Sequence, residues 1–185
     1  MNAHIFLAPG FEEIEAITVI DVLRRAEFEV VTVSIPNDDD DEFWVEGAHG
    51  VSVFSDIDFE YADFSETDIL ILPGGQPGTT NLSAHKGLQQ LLLDFATQKK
   101  HIAAICAAPM ILGDLGLLKG KKATCYPGCE SRLTGATVTG NAVEVADTII
   151  TGNGPGAAMA FALAIVETLK GSEIAQTVKK QLMMQ

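Results

Sequence analysis

Positive charge is scarce in this sequence. Its 185 residues include 12 Lys and Arg against 25 Asp and Glu, which gives a formal net charge of −13 at pH 7. A chain with this charge repels the phosphate backbone of nucleic acids, and no basic stripe along the sequence offsets the repulsion. We therefore expect no nucleic-acid partner.

The sequence also lacks a long apolar run and a basic leader. No stretch reaches the roughly 20 apolar residues that cross a bilayer, so we expect no membrane insertion. The short apolar segment that starts at Ile5 has no basic region ahead of it, and acidic residues follow from Glu12 onward. Secretory leaders have a basic region before the apolar one, so we predict a cytoplasmic protein.

Cysteine is rare as well. Cys106, Cys125 and Cys129 are odd in number and lie in apolar or turn contexts, which does not indicate a disulfide framework. Cys125 and Cys129 have the spacing of two metal ligands, but no second pair of Cys or His follows nearby. The acidic run at 38–42 is interpreted as a solvated loop rather than a calcium site. We predict no bound metal.

Nucleotide-binding motifs are present only in incomplete form. Gly152, Gly154 and Ala157 match the spacing of a dinucleotide fingerprint, but the helix after them leads into the C-terminal tail instead of a further strand. The segment 116–121 is one residue short of a phosphate-binding loop and is followed by Lys122 rather than Ser or Thr. We predict no organic cofactor.

What the sequence does contain is an alternation of apolar strands and amphipathic helices. This pattern predicts one α/β domain over residues 1–185, with a mostly parallel sheet covered on both faces. A hairpin is predicted around Gly47 and Gly50, and Ser172 is predicted to cap the last helix. The predicted strands are 5–8, 30–35, 68–72, 102–106, 123–125, 137–139, 143–145 and 148–151; the predicted helices are 12–25, 82–100, 157–169 and one running from 172 toward 184.

Cys106 stands where an apolar strand stops and small residues begin. Pro109 suits the first turn of a following helix, and the alanines around the cysteine leave room for a strained turn. A side chain at such a turn projects above the sheet, and the N–H groups of the next helix favour its thiolate. A buried, inert cysteine is the alternative, since free cysteines are among the most buried residues.

Glu15 falls on an otherwise apolar helix row. On a helix it shares that row with Val19, Val22 and Ala26. A carboxyl group facing a core is costly unless it is paired or protonated, so Glu15 is a candidate neutral hydrogen-bond donor. The alternative is an ordinary acid in a first helical turn, where Glu12 and Glu13 also lie.

No histidine accompanies Cys106 in the sequence. His4 and His101 lie near the amino ends of strands, whereas α/β sites form at the carboxyl ends. His85 falls in a predicted helix and His49 in the predicted hairpin. A triad of cysteine, histidine and acid is therefore not expected within one subunit.

Four motifs in order resemble the ThiJ/PfpI family, and within it the branch of Parkinson-disease-associated deglycases. They are GFEEIE at 10–15, LPGG at 72–75, AAICA at 103–107, and GPG at 154–156 with its following helix. The resemblance covers nearly the whole chain. It implies a flavodoxin-like three-layer α/β/α sandwich with the cysteine at a nucleophile elbow, usually as a homodimer.

The resemblance also implies roles for individual residues. Cys106 would be an oxidisable nucleophile and Glu15 its protonated partner, with the backbone N–H groups of Gly75 and Ala107 as an oxyanion hole. Tyr126 matches a position where this branch often carries a histidine. His49 matches an arginine that a partner subunit contributes. Relatives with protease character carry histidine directly after the cysteine, so Ala107 argues against a peptidase.

Two functions remain open from the sequence. The first is a cofactor-independent enzyme acting on reactive dicarbonyls, by converting methylglyoxal to lactate or by removing glycation adducts from proteins. The second is an oxidative-stress sensor or holdase chaperone that uses the oxidisable thiol of Cys106 without turnover. A plain binding module would require Cys106 to be inert.

Overall fold

A computed structural model describes residues 1–35 and 43–184 of the chain. The acidic run at 38–42 lies outside the described residues. The strands are β1 (Asn2–Leu7), β2 (Glu29–Ser34), β3 (Trp44–Glu46), β4 (Ser52–Phe54), β5 (Ile57–Asp58), β6 (Ile69–Leu72), β7 (His101–Ile105), β8 (Lys122–Ala123), β9 (Thr137–Val138), β10 (Val143–Ala146) and β11 (Ile149–Gly152). The helices are α1 (Glu13–Arg25), α2 (Gly78–Ala84), α3 (Lys86–Thr97), α4 (Pro109–Asp114), α5 (Ala158–Lys170) and α6 (Ser172–Gln181).

The centre of the fold is a seven-stranded sheet in the order β10-β11-β7-β6-β1-β2-β5. Every neighbouring pair is parallel except β10 with β11 at one edge. The strands β1, β6 and β7 are almost wholly buried, as expected for a parallel sheet covered on both faces. The predicted mostly parallel α/β sheet is confirmed.

The connections place helices on both faces of the sheet. The chain moves from β1 to β2 in one direction across the sheet and from β6 to β7 in the other. Because parallel crossovers are right-handed, α1 lies on one face and the α2–α3 pair on the opposite face. α5 packs against α1, and α6 packs against α5. The result is the predicted three-layer flavodoxin-like arrangement.

This topology creates a crevice at the carboxyl edge of the sheet. The connections leaving β1 and β6 diverge, and α/β proteins bind ligands where neighbouring connections diverge in this way. The loops after β1, β6 and β7 meet there, and these loops precede or contain Glu15, Gly75 and Cys106. The three predicted site regions therefore share one edge.

Two predicted helix features are wrong. The single helix expected over 82–100 is two helices, α2 and α3, divided at His85. His85 has extended backbone angles, and its Nδ1 accepts a 3.0 Å hydrogen bond from the Leu88 N–H, so it caps α3. Ser172 is the first residue of α6 and its side chain makes no cap hydrogen bond; Gly171 precedes the helix with φ at 87°.

The predicted hairpin is confirmed as the antiparallel pair β3–β4. The hairpin tip contacts the segment just before α1, where Phe11 and Gly47 form an isolated parallel β-bridge. The strand β5 was not predicted, because two residues are too short to show a period. Within the described ranges, each helix is too short or too polar to span a bilayer.

Candidate active site

Cys106 occupies a strained backbone position directly after β7. Its φ is 65°, in the left-handed region that residues other than glycine seldom adopt. The Cys106 N–H donates a 2.9 Å hydrogen bond to the Gly152 carbonyl, and its own carbonyl accepts one of 2.7 Å from the Tyr126 N–H. Pro109 begins α4 as predicted. These contacts hold the cysteine at a sharp strand-to-helix turn, as at a nucleophile elbow.

Glu15 is fully buried in the first turn of α1. Its Oε2 accepts a 2.7 Å hydrogen bond from the Gly74 N–H, whereas Oε1 has no hydrogen-bond partner among the described residues. The predicted row is confirmed, because Val19, Val22 and Ala26 are also buried. A buried carboxyl group with one unpaired oxygen favours the protonated form.

Gly74 lies between the carboxyl group and the thiol. A Cβ atom on Gly74 would lie 2.8 Å from Glu15 Oε2, 2.5 Å from Cys106 Cβ and 3.0 Å from Cys106 Sγ. Only glycine fits at this spacing, because real Cβ atoms do not approach other heavy atoms below about 3 Å. The absence of a side chain on Gly74 therefore lets Glu15 and Cys106 come together.

The pKa values of both Glu15 and Cys106 are raised. Burial raises the pKa of Glu15 to about 7, against hydrogen bonds from Gly74 and Cys106 that lower it. Burial and the charge of Glu15 raise the pKa of Cys106 to about 12, although backbone N–H groups of Gly75 and Ala107 lower it. The N–H group of Ala107, directly after the cysteine, favours the thiolate as predicted, but burial and the charge of Glu15 outweigh it while Glu15 is ionised.

The two groups therefore titrate together. Because the charge on Glu15 is one cause of the raised pKa of Cys106, a proton on Glu15 removes that repulsion. Between the two titrations the pair carries one negative charge, and moving one proton converts thiol and carboxylate into thiolate and carboxylic acid. The N–H groups of Gly75 and Ala107 stabilise the second of these states.

Tyr126 contacts Cys106 through the backbone hydrogen bond from its N–H to the Cys106 carbonyl. The Tyr126 ring lies over Gly154, since a Cβ atom on Gly154 would be 3.3 Å from Tyr126 Cδ2. Tyr126 is 49% exposed. Its segment is held by a buried hydrogen bond of 3.0 Å from the Thr124 N–H to Thr151 Oγ1. The roles of Gly74, Thr124 and Thr151 could not be predicted from the sequence, because they depend on contacts between distant segments.

His4 and His49 have partners other than Cys106. His4 bonds Thr67, and burial lowers the pKa of His4. His49 lies at the hairpin tip, where its Nδ1 is 2.9 Å from Glu13 Oε2, and this hydrogen bond raises the pKa of His49. Among the described residues, Glu12, Glu13 and His49 form the one cluster of three side chains that could hold a metal ion.

The comparisons with known proteins agree with this geometry. Residues 1–168 match the model of the DJ-1/PfpI family. The chain belongs to the DJ-1/PfpI family. The resemblance to ThiJ/PfpI proteins is therefore confirmed.

Several DJ-1 proteins are similar over nearly the whole chain. "Protein DJ-1 homolog B" of Arabidopsis thaliana is 38% identical over 180 residues, which cover 96% of this chain and 40% of that protein. The chain spans less than half of the Arabidopsis relatives, with 45% of "Protein DJ-1 homolog A" covered. "Glutathione-independent glyoxalase DJR-1.2" of Caenorhabditis elegans is 33% identical over 184 residues, covering 98% of this chain and 95% of that protein.

The fold is equally similar to solved DJ-1 structures. The structure of oxidised Toxoplasma gondii DJ-1 superposes with a TM-score of 0.92 at 35% identity, covering 99% of this chain and 98% of that one. The DJ-1 fold is therefore shared along the whole described chain.

Proposed function

We propose that this protein is a cofactor-independent enzyme that converts reactive dicarbonyls such as methylglyoxal to hydroxy acids. The observation that carries the proposal is the juxtaposition of Cys106 at φ 65° with the buried Glu15 carboxyl group and the Gly75 and Ala107 N–H groups. A nucleophile, a proton carrier and two backbone donors are the parts that addition to a carbonyl requires.

The first step would be addition of Cys106 to the aldehyde. In the state with a thiolate and a protonated Glu15, the sulfur forms a bond to the aldehyde carbon while the carbonyl π bond breaks. The carbonyl oxygen takes up the proton of Glu15, which leaves a hemithioacetal and the Glu15 carboxylate. The negative charge that develops on this oxygen would be stabilised by the N–H groups of Gly75 and Ala107. Because Glu15 holds a proton up to a pKa of about 7, it can supply that proton near neutral pH.

The second step would be a proton shift between neighbouring carbons. A base removes the proton from the former aldehyde carbon, and the resulting enediol is protonated at the former ketone carbon, which leaves a lactoyl thioester on Cys106. Water then hydrolyses the thioester and releases lactate and the thiol. The aldehyde carbon is oxidised and the ketone carbon is reduced, so the sum is methylglyoxal plus water to lactate without an external oxidant.

In this proposal, Glu15 carries these protons. Its Oε2 is fixed by Gly74 and lies on the side of Cys106, whereas the buried Oε1 has no partner in the described part of the chain. The name of the Caenorhabditis elegans relative, a glutathione-independent glyoxalase, supports the same reaction class. Removal of early glycation adducts from proteins would use the same first step at Cys106.

The experiment is lactate formation from methylglyoxal without glutathione and in the presence of a metal chelator. We expect turnover by the wild-type protein, loss to background in Cys106→Ala, and near wild-type turnover in Cys125→Ala. Cys125 is a matched control because it is buried and has a raised pKa as well. Equal lactate formation by wild type and Cys106→Ala would refute the proposal.

A second candidate function rests on the same thiol. When Glu15 is protonated, the Gly75 and Ala107 N–H groups stabilise the Cys106 thiolate, so a stress sensor would oxidise selectively there. Intact-mass analysis after mild peroxide treatment tests this role. A sulfinic acid confined to Cys106 in a protein without lactate turnover would favour the sensor or holdase function, and even oxidation of all three cysteines would reject it.

We also propose that the protein forms a homodimer through α1. Ile14 and Ile17 on this helix are 55% and 43% exposed, and Val51 at the neighbouring hairpin tip is 53% exposed. Exposed apolar side chains grouped in this way are typical of protein interfaces. Sedimentation should give a dimer for the wild type and a monomer for Ile17→Glu; a monomeric wild type would contradict this proposal.

A further inference from the structure

A small cavity lies between α2 and α4, on the face of the sheet that carries α2, opposite α1. It is lined by Thr79, Thr80, Ser83 and Ala84 from α2, by Met110 from α4, and by Arg132. From this lining, we propose that the cavity binds the hydroxyl-bearing chain of sugar-derived 2-oxoaldehydes, whose dicarbonyl end reacts at Cys106. This inference rests on the proposed function, because it names a substrate class for the same reaction.

The cavity adjoins both residues of the proposed oxyanion hole. The N–H of Thr79 donates a 2.9 Å hydrogen bond to the Gly75 carbonyl. The N–H of Met110 donates one of 3.0 Å to the Ala107 carbonyl. Each of these two lining residues is therefore about one helical turn, or about 5.4 Å, from a backbone donor of the proposed site. A substrate whose oxygen is held by those donors would bring the rest of its chain to the cavity.

Thr79 carries a buried hydroxyl group without a partner. The residue is 2% exposed, and its Oγ1 makes no hydrogen bond to the part of the chain that the structure describes. Buried hydroxyl groups without a partner are costly and rare in folded proteins. Because Thr79 lines the cavity, a change of its χ1 rotamer would turn the hydroxyl toward a bound ligand. A ligand hydroxyl in the cavity would then supply the missing partner.

Two further hydroxyl groups lie on the same side of α2. Ser83 follows Thr79 by four residues, so the two side chains share one face of the helix. The Oγ1 of Thr80 donates a 2.8 Å hydrogen bond to Gln76 Oε1, which leaves its lone pairs to accept a bond from a ligand. Hydroxyl groups both donate and accept, as those of a polyhydroxy chain do. The lining therefore favours a ligand with several hydroxyl groups.

Arg132 adds hydrogen-bond donors without adding net charge to the cavity. Its Nε and Nη2 both bond the carboxylate of Asp114, and Nη1 has no part in this pair. A guanidinium group has five N–H donors, so Nη1 remains to donate to a ligand. The ion pair is neutral and the whole chain carries a net charge of −13. An uncharged hydroxylated ligand is therefore favoured over a phosphate or a carboxylate.

The size and the apolar part of the lining suit a short carbon chain. The cavity has a volume of about 270 Å³, and Ala84 and Met110 provide its apolar contacts. The methionine side chain is flexible and adapts to irregular ligand shapes. The C–H groups of a sugar-derived chain would pack against these two side chains while its hydroxyl groups bond the polar ones.

The chemistry at the dicarbonyl end is the same as for methylglyoxal. The sulfur of Cys106 adds to the aldehyde carbon, and the proton shift oxidises this carbon while it reduces the neighbouring ketone carbon. Water then cleaves the thioester and releases a 2-hydroxy acid and the thiol. The sum is substrate plus water, so no external oxidant or reductant is required.

Two substrates with the same carbon skeleton test the cavity. 3-Deoxyglucosone carries three hydroxyl groups on the chain beyond its dicarbonyl end, whereas 2-oxohexanal has the same six carbons without them. We expect the wild-type kcat/KM to be higher for 3-deoxyglucosone by about tenfold. The ratio of the two kcat/KM values should fall about two- to tenfold in Thr79→Val, which is the effect of one lost hydrogen bond. Thr79→Ser retains the hydroxyl and should retain the preference.

Two further variants complete the comparison. Ser83→Ala, at a partly exposed position, should lower the same ratio. Thr97→Val is the matched control and should leave the ratio unchanged, since Thr97 is an exposed threonine on α3 outside the cavity. Thr79→Val removes an unpaired hydroxyl at nearly constant shape, so thermal unfolding should show a protein at least as stable as the wild type.

The results distinguish this proposal from the proposed function. Equal kcat/KM values of the wild type for the two substrates, or equal ratios in wild type and Thr79→Val, would overturn the role of the cavity and leave dicarbonyl turnover intact. A wild type that converts neither of these substrates nor methylglyoxal would refute the proposed function, and this proposal with it.

Discussion

The Gly74 N–H donates a 2.7 Å hydrogen bond to Glu15 Oε2, and this bond fixes the carboxyl group beside Cys106. It links the loop after β6 to the first turn of α1, two segments that are 59 residues apart in the sequence. The bond favours the carboxylate, whereas burial favours the acid and dominates. Stability, proton transfer and thiol reactivity should therefore all respond to changes at this contact.

The pKa of Glu15 predicts how stability depends on pH. The folded chain holds the Glu15 proton up to about 7, against an ordinary value of 4.5, so it binds more protons than the unfolded chain between these values. The free energy of unfolding should therefore fall as pH rises through this window, by about 3 kcal/mol from this group. Urea unfolding of Glu15→Gln between these pH values should lack that decrease; an identical pH dependence would contradict the raised pKa.

Replacing Gly74 by alanine should damage both folding and chemistry. The added methyl group would meet Cys106 Cβ at 2.5 Å and Glu15 Oε2 at 2.8 Å, so the pair must separate. We expect a loss of about 1–3 kcal/mol in unfolding free energy, as in other overpacked sites, with lactate formation near background. Gly156→Ala is the control, because a Cβ atom there meets nothing within 4 Å. A stable, fully active Gly74→Ala protein would be inconsistent with the contact.

Thr151 should position the segment that carries Tyr126. Its hydroxyl accepts the buried N–H of Thr124, and valine cannot replace that acceptor. Thr151→Val should lower the unfolding free energy by about 1–3 kcal/mol, the cost of an unsatisfied buried donor. Thr151→Ser retains the hydroxyl and should stay within about 1 kcal/mol of wild type. Thermal and urea unfolding distinguish the two variants, and a loss in Thr151→Ser without one in Thr151→Val would assign the effect to the methyl group instead.

We predict that the Tyr126 hydroxyl takes part in proton transfer beside Cys106 and limits its rate. A phenol is a poorer base near neutral pH than an imidazole, so Tyr126→His is expected to raise kcat for lactate formation. The gain should appear as pH rises through the range in which the imidazole loses its proton. Tyr126→Phe tests the hydroxyl alone. If all three proteins have the same kcat and pH profile, Tyr126 acts only through its backbone contact with Cys106.

The sequence predicted the site residues that stand at the end of an apolar segment or interrupt an apolar helix row. The end of β7 could be predicted because an apolar run stops at Cys106, and Glu15 stood out because the rest of its helix row is apolar. The three-layer α/β/α sandwich follows from the alternation of buried strands and helices. That residues 1–185 form a single domain stays a prediction.

Features that depend on contacts between distant segments could not be predicted in this way. His85 interrupts a pattern that is periodic throughout, so the break between α2 and α3 is invisible without the cap to Leu88. The hydrogen bond from Gly74 and the pairing of His49 with Glu13 join segments 59 and 36 residues apart. The raised pKa of Cys106 depends on burial, which the local sequence does not give.

The most direct test of the central claim is the rate of Cys106 alkylation by iodoacetamide as a function of pH. Peptide mass analysis would restrict the signal to Cys106. Because the pair loses its first proton near pH 7 and shares the remaining one, the wild-type rate should rise through about 7 to a plateau well below 12. Glu15→Gln, without a carboxyl group to share the proton, should lack this step and show one titration at higher pH. Identical profiles for the two proteins would contradict the account.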